Sequence, residues 1–462
     1  MIMRASIPIV PSAGGRLEHE FGLRSWLSFA IIVCIGFQQF PVVRVGGSFR
    51  LYELLALALL MVSIASRSIF RQRELWSFAF LVFSPVLSLV VFWVAWKDDI
   101  SGYYERFGVL GQLRYTTWAA TVVPCFYFLL CWVAFSEISR SKALFSRREL
   151  VIRWIVYSGN FIGLFALFAA FMNGVLGVQT PIQLLPEFVQ NVGKISYGFR
   201  AYGFSQEPSF YVLYQGWVIL LTYYYRHLFP RVLGFYFLTV AAVCLVLTMS
   251  SALIGLVGAV GLTSLMVGTV RGRMKRIAVF ATLLGMALGA AYLAGYGGML
   301  EYAFYHKLVG FFSVPTTTLD SGQFRAYTSL IGLEIFKEYP ITGVGPGASI
   351  FFMHAHEYKI PIYVFGESLN PGSFPQNSYA AILAELGLIG SVCFLMFSFY
   401  IASRVLKCAR QNDEALPYLV GVVFTFASLL SIAPAYSMFI WVFPAFALCV
   451  VNGLELGRRQ LA

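Results

Sequence analysis

The chain has 462 residues, of which 59% are hydrophobic, 17% are aromatic and only 12% are charged. Water-soluble domains carry about 25% charged residues, so this composition excludes an ordinary soluble enzyme and predicts a polytopic membrane protein. The formal net charge of +12 would suit a nucleic-acid-binding protein, but the sequence has no basic block or recognition motif for one. We attribute the excess to cytoplasmic loops, where membrane proteins concentrate Lys and Arg.

About twelve stretches approach the length of 20 apolar residues that a spanning helix needs. They are 26–43, 51–66, 75–96, 117–135, 151–172, 210–225, 232–248, 252–270, 277–294, 378–402, 416–432 and 437–452. The first 25 residues are too polar for a typical signal peptide, so we expect the first span to be an uncleaved anchor.

The distribution of Lys and Arg predicts the orientation of these spans. With the amino terminus inside, most of the 33 basic residues fall in cytoplasmic segments. We therefore predict an all-α integral membrane protein with about twelve transmembrane helices, both termini in the cytoplasm and one large loop outside. None of the seven cysteines lies outside under this assignment, so we expect no disulfide framework.

This assignment divides the chain into four parts. Residues 1–25 form a cytoplasmic tail, and 26–294 hold the first nine helices with a shorter outside loop at 173–209. Residues 295–377 form the large outside loop. The last three helices and a second cytoplasmic tail occupy 378–462.

The large outside loop is too aromatic for a flexible tether, so we expect it to pack against the rest of the protein. Apolar side chains recur in it at a helical spacing, at Tyr327, Leu330, Ile331 and Phe336. Pro340 should end this amphipathic helix. Glycines at 343, 345 and 347 then predict a compact turn.

Two outside arginines stand in informative contexts: Arg200, in YGFRAYGFSQEPSF, and Arg325, at the start of the amphipathic stretch. Each either anchors lipid headgroups or clamps a diphosphate, because a planar guanidinium matches phosphate oxygens and stays charged. Glu207 follows in SQEPS. It either belongs to the cap of the next helix or accepts a proton from an attacking hydroxyl. The residues alone leave both alternatives open.

Other polar residues in the large loop give weaker signals. His354, His356 and Glu357 could hold a metal, but two histidines without a third well-spaced ligand are more typical of a surface loop. Lys307 has no distinctive context. The sequence contains no nucleotide-binding glycine motif and no pair of cysteines in CxxC spacing.

Four stretches together resemble one known family. RAYGFSQEPSF, LTMSSALIGL, FRAYTSLIGLEIFKEYPITGVGPG and PQNSYAAILAELGLIG occur in the order found in the O-antigen polymerase and ligase superfamily. This resemblance implies a GT-C-like helical enzyme of the bacterial inner membrane that acts at the periplasmic face. It transfers a glycan from undecaprenyl diphosphate without nucleotide sugar, metal or other cofactor. Polymerases extend another lipid-linked repeat unit, whereas ligases transfer the glycan to lipid A-core.

The resemblance also implies roles for individual residues. Arg200 and Arg325 would hold the diphosphate, and Glu207 is our first choice for the base. The remaining expected substrate contacts are Lys307, Tyr202, Gln376 and Asn377. Ligases carry a histidine directly before the Asn of the closing motif, where this chain has Gln376. This difference favours a Wzy-type polysaccharide polymerase over a ligase.

The expected partners are lipid-linked oligosaccharides as donor and acceptor, membrane lipids, a chain-length regulator and a flippase, with no nucleic acid. A third hypothesis is that the protein is itself a lipid-linked glycan flippase or transporter. That class would show charged pairs within the spans and an internal repeat. The sequence shows few central charges and no repeat, so this hypothesis is disfavoured.

Overall fold

The structure is a computed structural model. It describes residues 21–39, 42–44, 48–67, 75–100, 117–180, 200–205, 207–248, 250, 252–267, 321–357 and 373–461. The helices in chain order are α1 (Leu23–Cys34), α2 (Leu51–Ala65), α3 (Leu75–Trp96), α4 (Thr117–Ser139), α5 (Lys142–Ser146), α6 (Arg148–Gly174), α7 (Pro208–Tyr224), α8 (Arg231–Leu247), α9 (Ala252–Met266), α10 (Ser321–Glu338), α11 (Ser349–Glu357), α12 (Ser378–Ala409), α13 (Leu416–Ser428) and α14 (Met438–Leu461). Two short strands, β1 (Val42–Arg44) and β2 (Ser48–Arg50), pair antiparallel before α2.

The helices follow the predicted spans closely. Every predicted span except 277–294, which lies outside the described residues, overlaps one of them. Among the residues that the structure describes, five helices are long and apolar enough to cross a membrane, namely α3, α4, α6, α12 and the Met438–Arg458 part of α14. They are consistent with the predicted all-α membrane class. The number of spans, their orientation and the four-part division remain predictions.

The first predicted span, 26–43, is wrong at its carboxyl end. Helix α1 ends at Cys34, and the last residues of the predicted span belong to strand β1. Hydropathy alone does not separate a buried helix end from an apolar strand, because both are rich in Val, Ile and Phe.

The main core is built where helices approach each other at small residues. A Cβ atom on Gly216 of α7 would lie 2.3 Å from the ring of Phe424 in α13. One on Gly421 of α13 would lie 2.4 Å from the ring of Trp217 in α7. Both rings are fully buried. Close approach at small residues is typical of packed membrane helices.

The part of the large loop that the structure describes packs on the bundle, as its aromatic content predicted. Tyr327, Ile331 and Ile335 form one buried stripe on α10, and they share a second apolar cluster with Phe92 of α3. The predicted face was wrong at Leu330, which is half exposed. A spacing of four residues keeps Tyr327, Ile331 and Ile335 together, whereas Leu330 falls at the edge of that stripe.

The helical backbone of α12 is interrupted at Gly387. Residues of the large loop form hydrogen bonds with the backbone on both sides of this interruption. Gly387 has φ +62° and ψ −158°, which no helical residue adopts. Residues 340–347, which we name the glycine turn, pair with the broken backbone. The four bonds run from Leu388 N to Pro340 O (2.8 Å), from Ile389 N to Ile341 O (3.1 Å), from Val344 N to Ala384 O (2.9 Å) and from Gly345 N to Glu385 O (2.9 Å). Irregular backbone within a bundle needs such partners, because no water replaces them there.

Candidate active site

The segment that carries Arg200 is fixed at the end of α8. The backbone N–H of Ala201 donates to Leu247 O (2.9 Å), and Arg200 Nε donates to Thr248 O (3.0 Å). In the same segment, the ring of Phe204 stacks on the ring of Phe165 in α6, and the two ring centroids are 4.3 Å apart. A cation at a helix carboxyl terminus also complements the helix dipole. This segment is therefore held by backbone bonds, by one guanidinium and by an aromatic stack.

Glu207 occupies the N-cap position of α7. Its backbone is extended, its carbonyl accepts from Phe210 N (3.1 Å), and Pro208 takes the first helical position. The side chain, however, makes no cap hydrogen bond to the backbone. Instead, the carboxylate oxygen Oε2 accepts from Ser209 Oγ (3.1 Å) and from Arg325 Nη2 (2.9 Å). The backbone thus serves as the cap, and the carboxylate remains for another role.

Arg325 lies in the first turns of α10 and brings the large loop to Glu207. The Arg325 side chain is 16% exposed and that of Glu207 is 30% exposed, so solvent reaches the ion pair. Arg325 Nη2 also lies 3.4 Å from Ser209 Oγ. Hydrogen bonds between ionised groups are shorter and stronger than neutral ones. Two segments more than a hundred residues apart in sequence therefore meet at one charged contact.

The next turn of α10 contacts the closing motif of the loop. Thr328 Oγ1 accepts from the backbone N–H of Gln376 (3.2 Å). Asn377 is the N-cap of α12, since its Oδ1 accepts from Tyr379 N (2.9 Å). Asn377 therefore fixes the start of α12, and the Gln376 side chain is not used by the contact to Thr328.

Because residues three apart lie on one helix face, Arg325 and Thr328 join the SQEP and PQNS segments within one turn of α10. We name the group formed by Arg325, Glu207, Ser209, Thr328 and Gln376 the Arg325 junction. It unites a carboxylate and a guanidinium that are partly exposed with two hydroxyls that are buried. These groups can bind an anion and accept a proton.

Comparison of the sequence with models of known protein families tests the resemblance. Residues 235–395 match the family model described as O-antigen ligase. This match supports a relationship with the O-antigen polymerase and ligase superfamily. A comparison with curated protein sequences found no match. The resemblance inferred from the four sequence stretches is thereby confirmed. The matched range includes Arg325, Gln376 and Asn377, whereas Arg200 and Glu207 precede it.

The remaining predicted site residues lie in different surroundings. Tyr202 is buried, and its hydroxyl accepts from Asn173 Nδ2 (3.4 Å) at the end of α6. Lys307 lies outside the described residues. The joint action of Arg200 and Arg325 remains a prediction, as do all the assigned roles.

His356 makes structural contacts between the two loop helices. Its Nδ1 lies 2.8 Å from Phe352 O, and its Nε2 lies 2.8 Å from a carboxylate oxygen of Glu338 in α10. Burial lowers the pKa of this imidazole. The sequence favours a surface loop over a metal site for His354 and His356. The contacts of His356 give this residue a role in packing α11 against α10. The side chains of His354 and Glu357 lie outside the described residues.

Sequence reasoning missed Glu385, which anchors the glycine turn. This carboxylate is buried in α12, accepts from Ser349 Oγ (2.6 Å) and is hydrogen-bonded by the backbone of Gly347. It thereby caps the amino terminus of α11 from a different helix. A signal was present in ELGLIG, because a carboxylate inside an apolar helix next to a glycine needs buried partners.

Proposed function

We propose that the protein is a polysaccharide polymerase of the superfamily. It transfers an O-antigen or exopolysaccharide glycan from undecaprenyl diphosphate onto the next lipid-linked repeat unit, at the periplasmic face of the inner membrane. The observation that carries the proposal is the Arg325 junction, where a guanidinium and a carboxylate from distant segments form one partly exposed contact. The family match supports the class of reaction.

The chemistry needs a cation where negative charge develops. As the glycosidic carbon leaves the donor phosphate, the diphosphate gains charge that Arg325 and Arg200 would stabilise. A preorganised donor of this kind contributes about 10²–10³ in rate. Lys307 would add a further cation. Guanidinium is well suited to this task, because it remains charged and presents paired donors to phosphate oxygens.

The acceptor must be oriented and deprotonated. Glu207 is the proposed proton acceptor for the attacking hydroxyl, a role that contributes about 10²–10⁴ in rate. Gln376 and Asn377 would orient sugars at the start of α12, and Tyr202 would line the same region from the Arg200 segment. A flippase would supply the lipid-linked substrate, and a chain-length regulator would set the length of the product.

A ligase is the second candidate, and one observation favours it: the matched family model is described as O-antigen ligase. A ligase would transfer the completed glycan to lipid A-core. Against this, Gln376 stands where the resemblance leads us to expect a histidine in ligases. An amide can orient a hydroxyl but cannot take up its proton. We therefore place the polymerase first.

The two candidates differ in what accumulates when the gene is deleted. Loss of a polymerase leaves lipid A-core with single repeat units, whereas loss of a ligase leaves long polymer on the carrier lipid. Gel analysis of both lipid fractions from a deletion strain separates these outcomes. The same strain, complemented with wild-type protein, provides the reference for variants.

Arg325→Ala tests the site itself. We expect it to abolish polymer at wild-type protein levels, with Arg325→Lys restoring little, because lysine lacks the planar fork. Lys337→Ala is the matched control, since Lys337 is an exposed cation on the same helix and pairs with Glu334 at 2.6 Å within that helix. Normal chain length in Arg325→Ala, at equal protein level, would contradict the assignment.

A further inference from the structure

The carboxylate of Glu207 is engaged in the structure. A single oxygen, Oε2, accepts from both Arg325 Nη2 (2.9 Å) and Ser209 Oγ (3.1 Å). Arg325 is therefore the charged partner of the very group that should accept a proton. A carboxylate oxygen held by a guanidinium and a hydroxyl has little remaining capacity for a third hydrogen bond.

The guanidinium of Arg325 is also the group to which a diphosphate would bind. A diphosphate carries more negative charge than one carboxylate and offers several oxygens to the guanidinium fork. The two side chains are 16% and 30% exposed, so an anionic headgroup can reach them without unfolding the bundle. Glu207 and a bound diphosphate therefore compete for one cation.

We propose that the Arg325–Glu207 ion pair is a lock that the diphosphate of the substrate opens. This inference rests on the proposed function. The diphosphate draws Arg325 away from Glu207, and the released carboxylate then accepts the proton of the acceptor hydroxyl. The acceptor oxygen forms a bond to the anomeric carbon as the bond from that carbon to the phosphate oxygen breaks. The electron pair of that broken bond leaves with the diphosphate.

The lock gives a physical reason why donor binding comes before proton transfer to Glu207. Before the donor binds, Arg325 and Ser209 occupy Oε2 of Glu207, and the adjacent positive charge weakens the attraction of the carboxylate for a proton from an adventitious hydroxyl or water. Donor binding supplies the anion and exposes the base in one exchange. Ser209 remains a partner of Glu207 throughout, because it lies in the same first turn of α7 and can keep the carboxylate in position.

Glu207→Gln tests the lock through two readouts that move in opposite directions. Loss of the competing charge should make purified protein bind undecaprenyl diphosphate about tenfold more tightly, the effect of losing one partly buried competitor. Glycan transfer should fall about 100-fold or more, because an amide accepts no proton. A purely structural ion pair predicts the reverse for binding, since its loss would disorder Arg325.

Glu334→Gln is the matched control, because it removes a carboxylate from α10 whose ion pair is with Lys337, one turn away on the same helix. It should leave both affinity and transfer unchanged. Glu207→Asp provides a second variant, with a shorter carboxylate, a weaker ion pair and a smaller gain in affinity. Unchanged or weaker binding by Glu207→Gln and Glu207→Asp overturns the lock.

The remaining outcomes separate the lock from the function on which it rests. If Glu207→Gln binds more tightly but transfers glycan at the wild-type rate, Glu207 is a competitor and not the proton acceptor, which overturns the proposal as stated. If wild-type protein binds no undecaprenyl diphosphate at all, the proposed function fails together with the lock. A binding isotherm for each protein in detergent, with undecaprenyl diphosphate as the probe, distinguishes these cases.

Discussion

The two ends of α10 are held in different ways. At its amino-terminal end, Arg325 pairs with the carboxylate of Glu207 through side chains that solvent partly reaches, and the buried Thr328 hydroxyl accepts from the backbone N–H of Gln376. Beyond its carboxyl-terminal end, the glycine turn is tied to broken helix α12 by backbone hydrogen bonds. There the one carboxylate, Glu385, is only 6% exposed.

This difference separates an exchangeable contact from a permanent one. A partly exposed ion pair contributes little to stability and can trade partners with a ligand at small cost. A buried carboxylate with two donors cannot lose them without a large penalty. The glycine turn therefore anchors α10, and the chemistry that we propose belongs to the Arg325 junction at the other end of this helix.

The largest expected effect comes from breaking the anchor at Gly343. This residue has φ +66°, and a Cβ atom there would lie 2.4 Å from the carbonyl carbon of Glu385. An alanine adds about 1–2 kcal/mol of backbone strain and about 1–3 kcal/mol from the forced displacement of α12. We expect Gly343→Ala to lower the melting temperature sharply and to reduce the amount of folded protein recovered in detergent.

Gly258→Ala is the control for that experiment. Gly258 lies in α9, where an added Cβ would meet nothing within 4 Å, and alanine favours a helix by about 1 kcal/mol over glycine. This variant should melt at or above the wild-type temperature. Equal melting of the two variants would show that the glycine turn is not an anchor.

A charge reversal distinguishes an ion pair that acts in chemistry from one that only holds two segments together. The double variant Arg325→Glu with Glu207→Arg can restore the contact between α10 and the start of α7. We expect it to recover melting temperature relative to Arg325→Glu alone. Transfer should stay about 10²–10³ below wild type, because the positions of the cation and the base are exchanged. If the double variant recovers both polymer synthesis and stability, the Arg325–Glu207 ion pair has only a structural role.

Much of the fold followed from the sequence, because hydropathy and charge report on elements locally. Apart from the carboxyl end of the first span, the predicted spans, the amphipathic helix near Arg325 and the turn after Pro340 overlap the corresponding elements wherever the structure describes them. The quoted motifs also identified both partners of the central ion pair, Arg325 and Glu207. Their direct contact was not predicted, because sequence spacing carries no information about which distant loops meet.

Glu385 and the break in α12 escaped prediction for a related reason. ELGLIG reads as part of an uninterrupted apolar span, and a glycine inside a membrane helix usually indicates packing. Only the contacts with the glycine turn show that Gly387 leaves the helical conformation. Leu330 illustrates a second difficulty. It is an apolar residue at the edge of the buried stripe of α10, and the local sequence does not indicate whether another helix buries its side chain.

Removing one donor from Glu385 should have a moderate effect. Ser349→Ala deletes the hydroxyl that lies 2.6 Å from Oε1 and leaves a buried carboxylate short of a partner, at a cost of about 1–3 kcal/mol. We expect a lower melting temperature with an unchanged affinity for undecaprenyl diphosphate, because the anchor does not touch substrate. Ser329→Ala is the control, since its hydroxyl bonds only to Arg325 O within the same helix. A large loss of affinity in Ser349→Ala would place the anchor in the binding site instead.

The smallest expected effect is at Thr328, which links the exchangeable end of α10 to the closing motif. Thr328→Val keeps the shape of the side chain but removes the acceptor of the Gln376 backbone N–H, at a cost of about 1 kcal/mol. Thr328→Ser retains the hydroxyl and should behave as wild type. Because this bond fixes Gln376 relative to Arg325, we expect Thr328→Val to slow transfer about fivefold at saturating donor while donor affinity stays unchanged. A gel that shows shorter chains at equal protein levels measures this. If Val and Ser behave alike, the hydroxyl is dispensable, and Arg325 alone joins the two segments for chemistry.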